Sequence, residues 1–155
     1  VRKSLDYRLN HNYHSQGWSL GWVTSMLARL KEGDKSLDMM QHNYFTKAYP
    51  NMFVDAHGRP LVGDMMGVPL AMIELILQSH TDYIDLLPSL PTAWKDGKVT
   101  GLCARGAFVF DMEWKAGKLI STNIKSLKGG KCLLRYEGKV KELSTEAGKS
   151  YQVTF

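Results

Sequence analysis

The spacing of the apolar residues changes near His80, and this change constrains the fold more than any other feature. Before His80, apolar residues recur every three or four positions, which is typical of amphipathic helices. After it, they alternate with polar residues, as they do in strands with one buried face. The sequence therefore predicts an α+β chain, with helices in residues 1–80 and an antiparallel β domain in residues 81–155.

The helical half is predicted to contain three helices. One covers Gly17–Leu30, where apolar residues recur at helical spacing, and Gly33 ends it. Asp34 is expected to cap a second helix, so that the two form a helical hairpin. The third helix, Pro69–Gln78, is apolar nearly all round, which predicts burial on most of its faces.

Three helices of this kind cannot bury their apolar surface by themselves. The missing cover could come from an N-terminal region that precedes residue 1, from a second copy of the chain, or in part from the β domain. The helical half is therefore predicted to be part of a larger assembly.

The strand half is predicted to contain about six to eight short antiparallel strands, which is enough for a small sandwich or barrel. Phe108, Phe110, Met112 and Trp114 alternate with more polar residues, and glycine-containing turns separate this run from the next. Because alternate residues of a strand share a face, Trp114 is predicted to lie in the core rather than on a sugar-binding surface.

Composition and spacing exclude several classes of protein. Although 20 Lys and Arg against 15 Asp and Glu give a net charge of +5, the basic residues are spread through turns, so nucleic-acid binding is not expected. The longest apolar run, Val68–Ile73, is far shorter than the ~20 residues of a membrane span. Cys103 and Cys132 lack CxxC spacing and are predicted to be buried free thiols, the alternative being a disulfide if their strands are adjacent. His11 and His14 lack further ligands at helical spacing, so we expect no metal site, and no cofactor is implied.

Five segments occur in an order and at a spacing that resemble a known family over most of the chain: Gly17–Trp22, Tyr49–His57, Glu74–His80, Leu86–Pro91 and Gly101–Gly106. Together they resemble the C-terminal end of glycoside hydrolase family 95, which contains α-L-fucosidases and α-L-galactosidases. A single such segment would be unspecific, whereas the ordered set is specific at the level of the family.

The resemblance implies a six-hairpin α/α barrel followed by a small C-terminal β domain. Residues 1–80 would then be the terminal helices of an incomplete barrel, and residues 81–155 a small antiparallel β-sandwich. The family's reaction is hydrolysis of terminal fucosyl-type linkages with inversion, on a glycan substrate. Its acid glutamate and its water-activating asparagine lie earlier in the barrel, so the isolated fragment is expected to be inactive. A bacterial, secreted or periplasmic glycan-degrading system is the expected setting.

The resemblance also places the family's late aspartate in the loop before the third helix. The family loop runs roughly His-Pro-Pro-Phe-Gln-Ile-Asp-Gly-Asn-Phe-Gly, and it aligns without a gap between His57 and Gly67. The family aspartate falls on Gly63, and Asp64 lies one place later. Asp64 is therefore the candidate catalytic carboxylate, which would polarise a catalytic amide or water. The alternative is that Asp64 caps the third helix.

Three further residues are candidates for sugar binding. The resemblance favours a contact between His57 and a sugar hydroxyl, and it assigns a weaker role to His14, which is displaced by one place from the family's histidine. Trp18 could stack on a sugar ring. The alternatives are a solvated loop for His57 and a core position for Trp18, which lies one helical turn from Trp22.

The alternative for the whole chain is a non-catalytic carbohydrate-binding or interaction module whose site has degenerated.

Overall fold

The computed structural model describes residues 1–11, 17–51, 53–56, 59–60 and 62–155. The chain divides into two compact units, Val1–Leu75 and Ile76–Phe155. Helices dominate the first unit and antiparallel strands the second, so the α+β prediction is confirmed. Within the described residues, no helix has both the length and the apolarity that crossing a membrane requires.

The described residues of the first unit form four α-helices and one pair of short antiparallel strands. In chain order its elements are α1 (Arg2–Asn10), α2 (Gly17–Arg29), α3 (Gly33–Met39), a π-helical segment (Met40–Tyr44), a 3₁₀ turn (Phe45–Lys47), strands β1 (Asp55–Ala56) and β2 (Arg59–Pro60), and α4 (Val62–Ile76), which ends at the boundary between the units.

Helices α2 and α3 form where the sequence predicts a helical pair. The buried residues Val23 and Leu27 of α2 pack with Leu5 of α1, because residues four apart share one face of a helix. The prediction that Asp34 caps α3 is wrong. Glu32 occupies the N-cap position, and Asp34 lies in the first turn, where a negative charge is favourable beside the free amides.

Helix α4 begins at Val62, well before the start predicted from Pro69, and Pro69 lies inside it. A proline is more common in a first turn because it cannot donate a backbone hydrogen bond, so the prediction placed the start too late. The predicted burial applies to all but one side of this helix, and Val68, Ala71 and Leu75 are fully buried. Met66 and Leu70 are 65% and 52% exposed, because no described part of the chain covers that side.

The second unit consists of two four-stranded sheets. One has the order β10–β7–β6–β5 and is antiparallel throughout; the other has the order β3–β4–β8–β9, in which only β4 and β8 are parallel. The strands are β3 (Leu77–Gln78), β4 (Ile84–Leu86), β5 (Gly97–Ala104), β6 (Phe108–Lys115), β7 (Lys118–Ser126), β8 (Gly130–Tyr136), β9 (Lys139–Thr145) and β10 (Ser150–Val153).

Both sheets contribute to a single hydrophobic core. Phe110 and Ile124 come from the first sheet and Leu134 from the second, and all three are fully buried. Trp114 is buried as predicted, and its Nε1 donates a hydrogen bond to the carbonyl oxygen of Trp94 at 2.9 Å. The alternation in the sequence therefore identifies the inward face of β6 correctly.

The two cysteines are free, but only one of them is buried. Cys132 lies in the core, whereas Cys103 lies on the exposed face of the edge strand β5. Its neighbours Leu102 and Ala104 are the partly buried residues, because side chains of a strand alternate between its faces. The prediction that Cys103 is buried is therefore wrong.

Candidate functional site

Helices α2 and α4 are in backbone contact at a pair of glycines. A Cβ atom added to Gly21 would lie only 2.5 Å from the Cα atom of Gly67, and one added to Gly67 would lie 2.9 Å from the Cα atom of Gly21. Such distances are far below van der Waals contact, so any larger residue at either position would force the helices apart. The two glycines therefore set the distance between the helices.

A partly buried ion pair joins the same two helices further along. Nη2 of Arg29 donates to Oε1 of Glu74 at 2.6 Å, and Nε donates to Oε2 at 3.1 Å. This two-point hydrogen bonding raises the pKa of the Arg29 guanidinium, which stays a fixed positive charge. On α2 the glycine precedes Arg29, and on α4 the glycine precedes Glu74, so the two contacts occur in the same order along both helices. Helices α2 and α4 therefore run in the same direction.

An open groove lies between α2 and α4 beside the glycine pair. We call it the α2–α4 groove; it has a volume of about 300 Å³ and is lined by Gly21, Trp22, Ser25, Met26, Arg29, Gly67 and Leu70. It combines an aromatic face and aliphatic side chains with a guanidinium group. None of the described residues that line it is a carboxylate, so acid–base chemistry there requires a group from outside the lining.

Trp18 lies in the first turn of α2 and is 67% exposed, so it is not part of the core that the described residues form. Trp22, one turn later, is 36% exposed, and the guanidinium carbon of Arg8 lies 5.2 Å from the centre of its ring. The aromatic surface needed for stacking is therefore accessible at Trp18. Its contact with a sugar stays a prediction.

Asp64 lies in the first turn of α4, inside the helix rather than at its N-cap. Asp64 precedes Gly67 by about one turn, and Trp18 precedes Gly21 by the same interval. Since the two helices run in the same direction, the backbones of Asp64 and Trp18 lie at the same end of the helix pair. His14 and His57 lie outside the described residues, so their roles stay predictions.

Sequence reasoning missed the glycine pair and the Arg29–Glu74 pair. A glycine inside a helical pattern does indicate a close backbone approach, but it does not indicate which element approaches. The ion pair joins residues that are far apart in the chain, and a single sequence carries no signal for such a pair.

In the described part of the chain, no group of three His, Cys, Asp or Glu side chains could hold a metal ion.

Two comparisons with known proteins identify the family. Residues 78–154 match the C-terminal domain of glycoside hydrolase family 95. The "Alpha-L-fucosidase 2" of Arabidopsis thaliana is 33% identical to this chain over 122 residues. The chain belongs to glycoside hydrolase family 95, and it corresponds to the C-terminal part of a family member. The alignment covers 71% of this chain but only 14% of the fucosidase, so the activity of a whole family 95 protein does not transfer directly to it. The relative is a plant protein, and the expected bacterial origin stays a prediction.

Proposed function

We propose that this chain is the C-terminal part of a glycoside hydrolase that cleaves terminal α-L-fucosyl or related glycosyl linkages with inversion. The observation that carries the proposal is the 33% identity to an α-L-fucosidase. An alignment over 71% of the chain is longer than either unit, so the similarity extends across the helical unit and the strand unit.

The packing of α2 and α4 supports a barrel origin for the helical unit. In a barrel made of helical hairpins, consecutive helices run in opposite directions, so every second helix runs the same way. Helices α2 and α4 run the same way, and the exposed residues Met66, Leu70 and Ile73 leave one side of α4 uncovered. We propose that α1–α4 are the last helices of an α/α barrel, that an N-terminal barrel region covers that side, and that the two sheets form a β-sandwich.

The chemistry of inversion assigns different tasks to different parts of the barrel. A carboxylic acid protonates the leaving oxygen, while a base on the opposite face activates water, with the two groups ~6.5–9.5 Å apart. In this proposal Asp64 belongs to the water-activating side, Trp18 stacks on the sugar, and His57 and His14 contact its hydroxyl groups. The acid lies in the preceding barrel region, so residues 1–155 alone do not catalyse.

The test compares the full-length parent with the isolated chain on aryl α-L-fucoside and aryl α-L-galactoside. We expect turnover only by the parent, with the β-anomer of the sugar as the first product in a time-resolved NMR spectrum. Turnover by residues 1–155 alone would contradict the division of catalytic groups. Initial release of the α-anomer would contradict inversion.

A substitution tests the role of Asp64 in the parent enzyme. Asp64→Asn is expected to lower kcat by roughly a hundredfold or more, because water activation depends on that carboxylate. The matched control is Asp38→Asn, whose side chain is 68% exposed on α3 and is expected to leave kcat unchanged. Equal kcat values for Asp64→Asn and the control would remove Asp64 from the mechanism.

One observation favours a second candidate function. Leu61, Gly63 and Met65 stand where the family loop has glutamine, aspartate and asparagine. Apolar residues at these positions favour a non-catalytic carbohydrate-binding or interaction module with a degenerate site. Calorimetric titration of the full-length protein with fucosylated and galactosylated oligosaccharides separates the two, since binding without hydrolysis supports only the module.

We also propose that the full-length protein acts outside the cytoplasm, in a secreted or periplasmic setting. The support is the proposed substrate class, because terminal sugars of this kind occur on exported glycans. Fractionation of the source cells with an antibody against residues 1–155 tests this location, and recovery in the cytoplasmic fraction alone would contradict it.

A further inference from the structure

The outer face of the first sheet contains a second open groove, distinct from the α2–α4 groove. We call it the sheet groove; its volume is about 230 Å³, and its polar lining includes Lys98, Thr100, Asp111, Glu113, Asn123 and Gln152. The groove lies on this face because the side chains of β6 alternate between the core and the outer face of the sheet. Phe110 and Met112 point into the core, so Asp111 and Glu113 between and beside them point outward.

Strand register arranges the groove side chains in rows. Asp111 of β6 is paired with Asn123 of β7, and Asn123 is paired with Gln152 of β10. In the next row, Glu113 is paired with Lys98 of β5 on one side and with Ser121 of β7 on the other. Since neighbouring strands lie about 4.8 Å apart, each row presents hydrogen-bonding groups at a regular interval.

A β-bulge holds Asp111 in position. The pairing of β5 with β6 shifts between Val99 and Leu102, and Gly101 within this bulge has a φ of +76°. Its N–H donates a hydrogen bond to Oδ1 of Asp111 at 2.9 Å. Bulges redirect groups at the edges of sheets and are concentrated beside functional sites. One oxygen of the carboxylate is thus anchored, and the other faces the groove without a hydrogen bond from the described residues.

The unused hydrogen-bonding capacity of the groove indicates its ligand. Within the described part of the chain, Glu113, Asn123 and Gln152 form no side-chain hydrogen bonds with one another or with other groups. Carboxylates accept, ammonium groups donate and amides do both, which suits a ligand whose adjacent hydroxyls can each donate and accept. The cationic Lys98 beside Glu113 opposes a metal ion, and no metal-binding cluster occurs among the described residues.

We propose that the sheet groove binds a single neutral sugar residue of a glycan, separately from the site of hydrolysis. A volume of about 230 Å³ is below the ~300–1,000 Å³ of pockets for drug-sized ligands, so one sugar ring is the appropriate size. The choice of a sugar rests on the proposed function, whereas the groove itself does not. Because no aromatic side chain is among the described residues that line it, the affinity is weak, on the order of 1–10 mM.

The test is a titration of the ¹⁵N-labelled chain of 155 residues with L-fucose, D-galactose and lactose, followed by amide chemical shifts. We expect saturable shifts in β5, β6, β7 and β10 around the groove. Asn123→Ala is expected to weaken binding roughly three- to tenfold, through the loss of one hydrogen bond to the ligand. The matched control, Asn10→Ala, removes an exposed asparagine of α1 and is expected to leave the affinity unchanged.

Two results would overturn the proposal. One is the absence of saturable shifts in the groove with any of the three sugars. The other is a response of the groove to CaCl₂ alone, which would identify a cation site instead. Hydrolysis by the parent is measured independently, so a silent groove in an active parent rejects this inference and leaves the proposed function intact.

Discussion

Gly21 shows at the scale of a single residue how steric contact can reverse an intrinsic preference. In an isolated helix, Gly→Ala stabilises by about 1 kcal/mol. Here the new methyl group would lie 2.5 Å from the Cα atom of Gly67, so Gly21→Ala is expected to lower the free energy of unfolding by about 1–3 kcal/mol. Urea unfolding of the chain measures the change. Ser19→Ala, on the same helix and partly exposed, is the control and is expected to have little effect.

The two thiols are predicted to differ in reactivity. Burial raises the pKa of Cys132 to about 11, and the thiolate is the reactive form, so Cys132 is unreactive near neutral pH. Cys103 is exposed. A thiol-specific reagent is therefore expected to modify one cysteine in the native chain and two in denaturant, and Cys103→Ser is expected to abolish the native reaction. A native reaction that survives Cys103→Ser would contradict the burial of Cys132.

At the scale of elements, the turn between β6 and β7 holds an alanine, Ala116, in an unfavourable backbone conformation. A substitution there can relieve this strain. Ala116 and Gly117 have φ angles of 50° and 74°, which two-residue type I′ turns require. Alanine is disfavoured there, and asparagine tolerates this region. Ala116→Asn is expected to raise the free energy of unfolding by about 1 kcal/mol.

Thermal or urea unfolding of the chain measures this gain. Ala147→Asn is the control, because Ala147 is in a turn but has no positive φ, and it is expected to give no comparable gain. Equal effects of the two substitutions would show that the left-handed conformation of Ala116 is not the cause.

Elements were predictable from the sequence where burial follows the strand or helix period without interruption. Strand β6 is such a case, since its buried residues alternate strictly. Strand β9 has no such signal, because it lies at a sheet edge and exposes most of its residues, so its buried and exposed residues do not alternate. The start of α4 was misplaced because Pro69 resembles a first-turn residue although it lies inside the helix.

At the scale of the whole molecule, the two units differ in self-sufficiency. The core of the second unit is formed by residues from both of its own sheets, whereas the first unit exposes Trp18, Met66 and Leu70. We expect the excised segment 76–155 to fold cooperatively and to give a dispersed amide spectrum. Segment 1–75 is expected to self-associate through its apolar surface, as sedimentation would show. An unfolded segment 76–155 would contradict this division.

The site was only partly predictable at this scale. The order of motifs identifies the family, and Trp18 proves accessible as a sugar-stacking role requires. The position of Asp64 relative to Trp18 follows from the parallel packing of α2 and α4, which the sequence does not specify. The parallel direction follows from two contacts taken together, the Gly21–Gly67 approach and the Arg29–Glu74 pair.

The sequence by itself determined the α+β class, the change from helices to strands and the inward face of β6. These features follow from local periodicity, because a helix or strand repeats its buried face at a spacing visible within a few residues. Only the tertiary structure decided the glycine contact, the Arg29–Glu74 pair, the strand order and the two grooves. Each of these joins residues distant in the chain, and their meeting depends on the shape and charge of surfaces that form only when the elements pack.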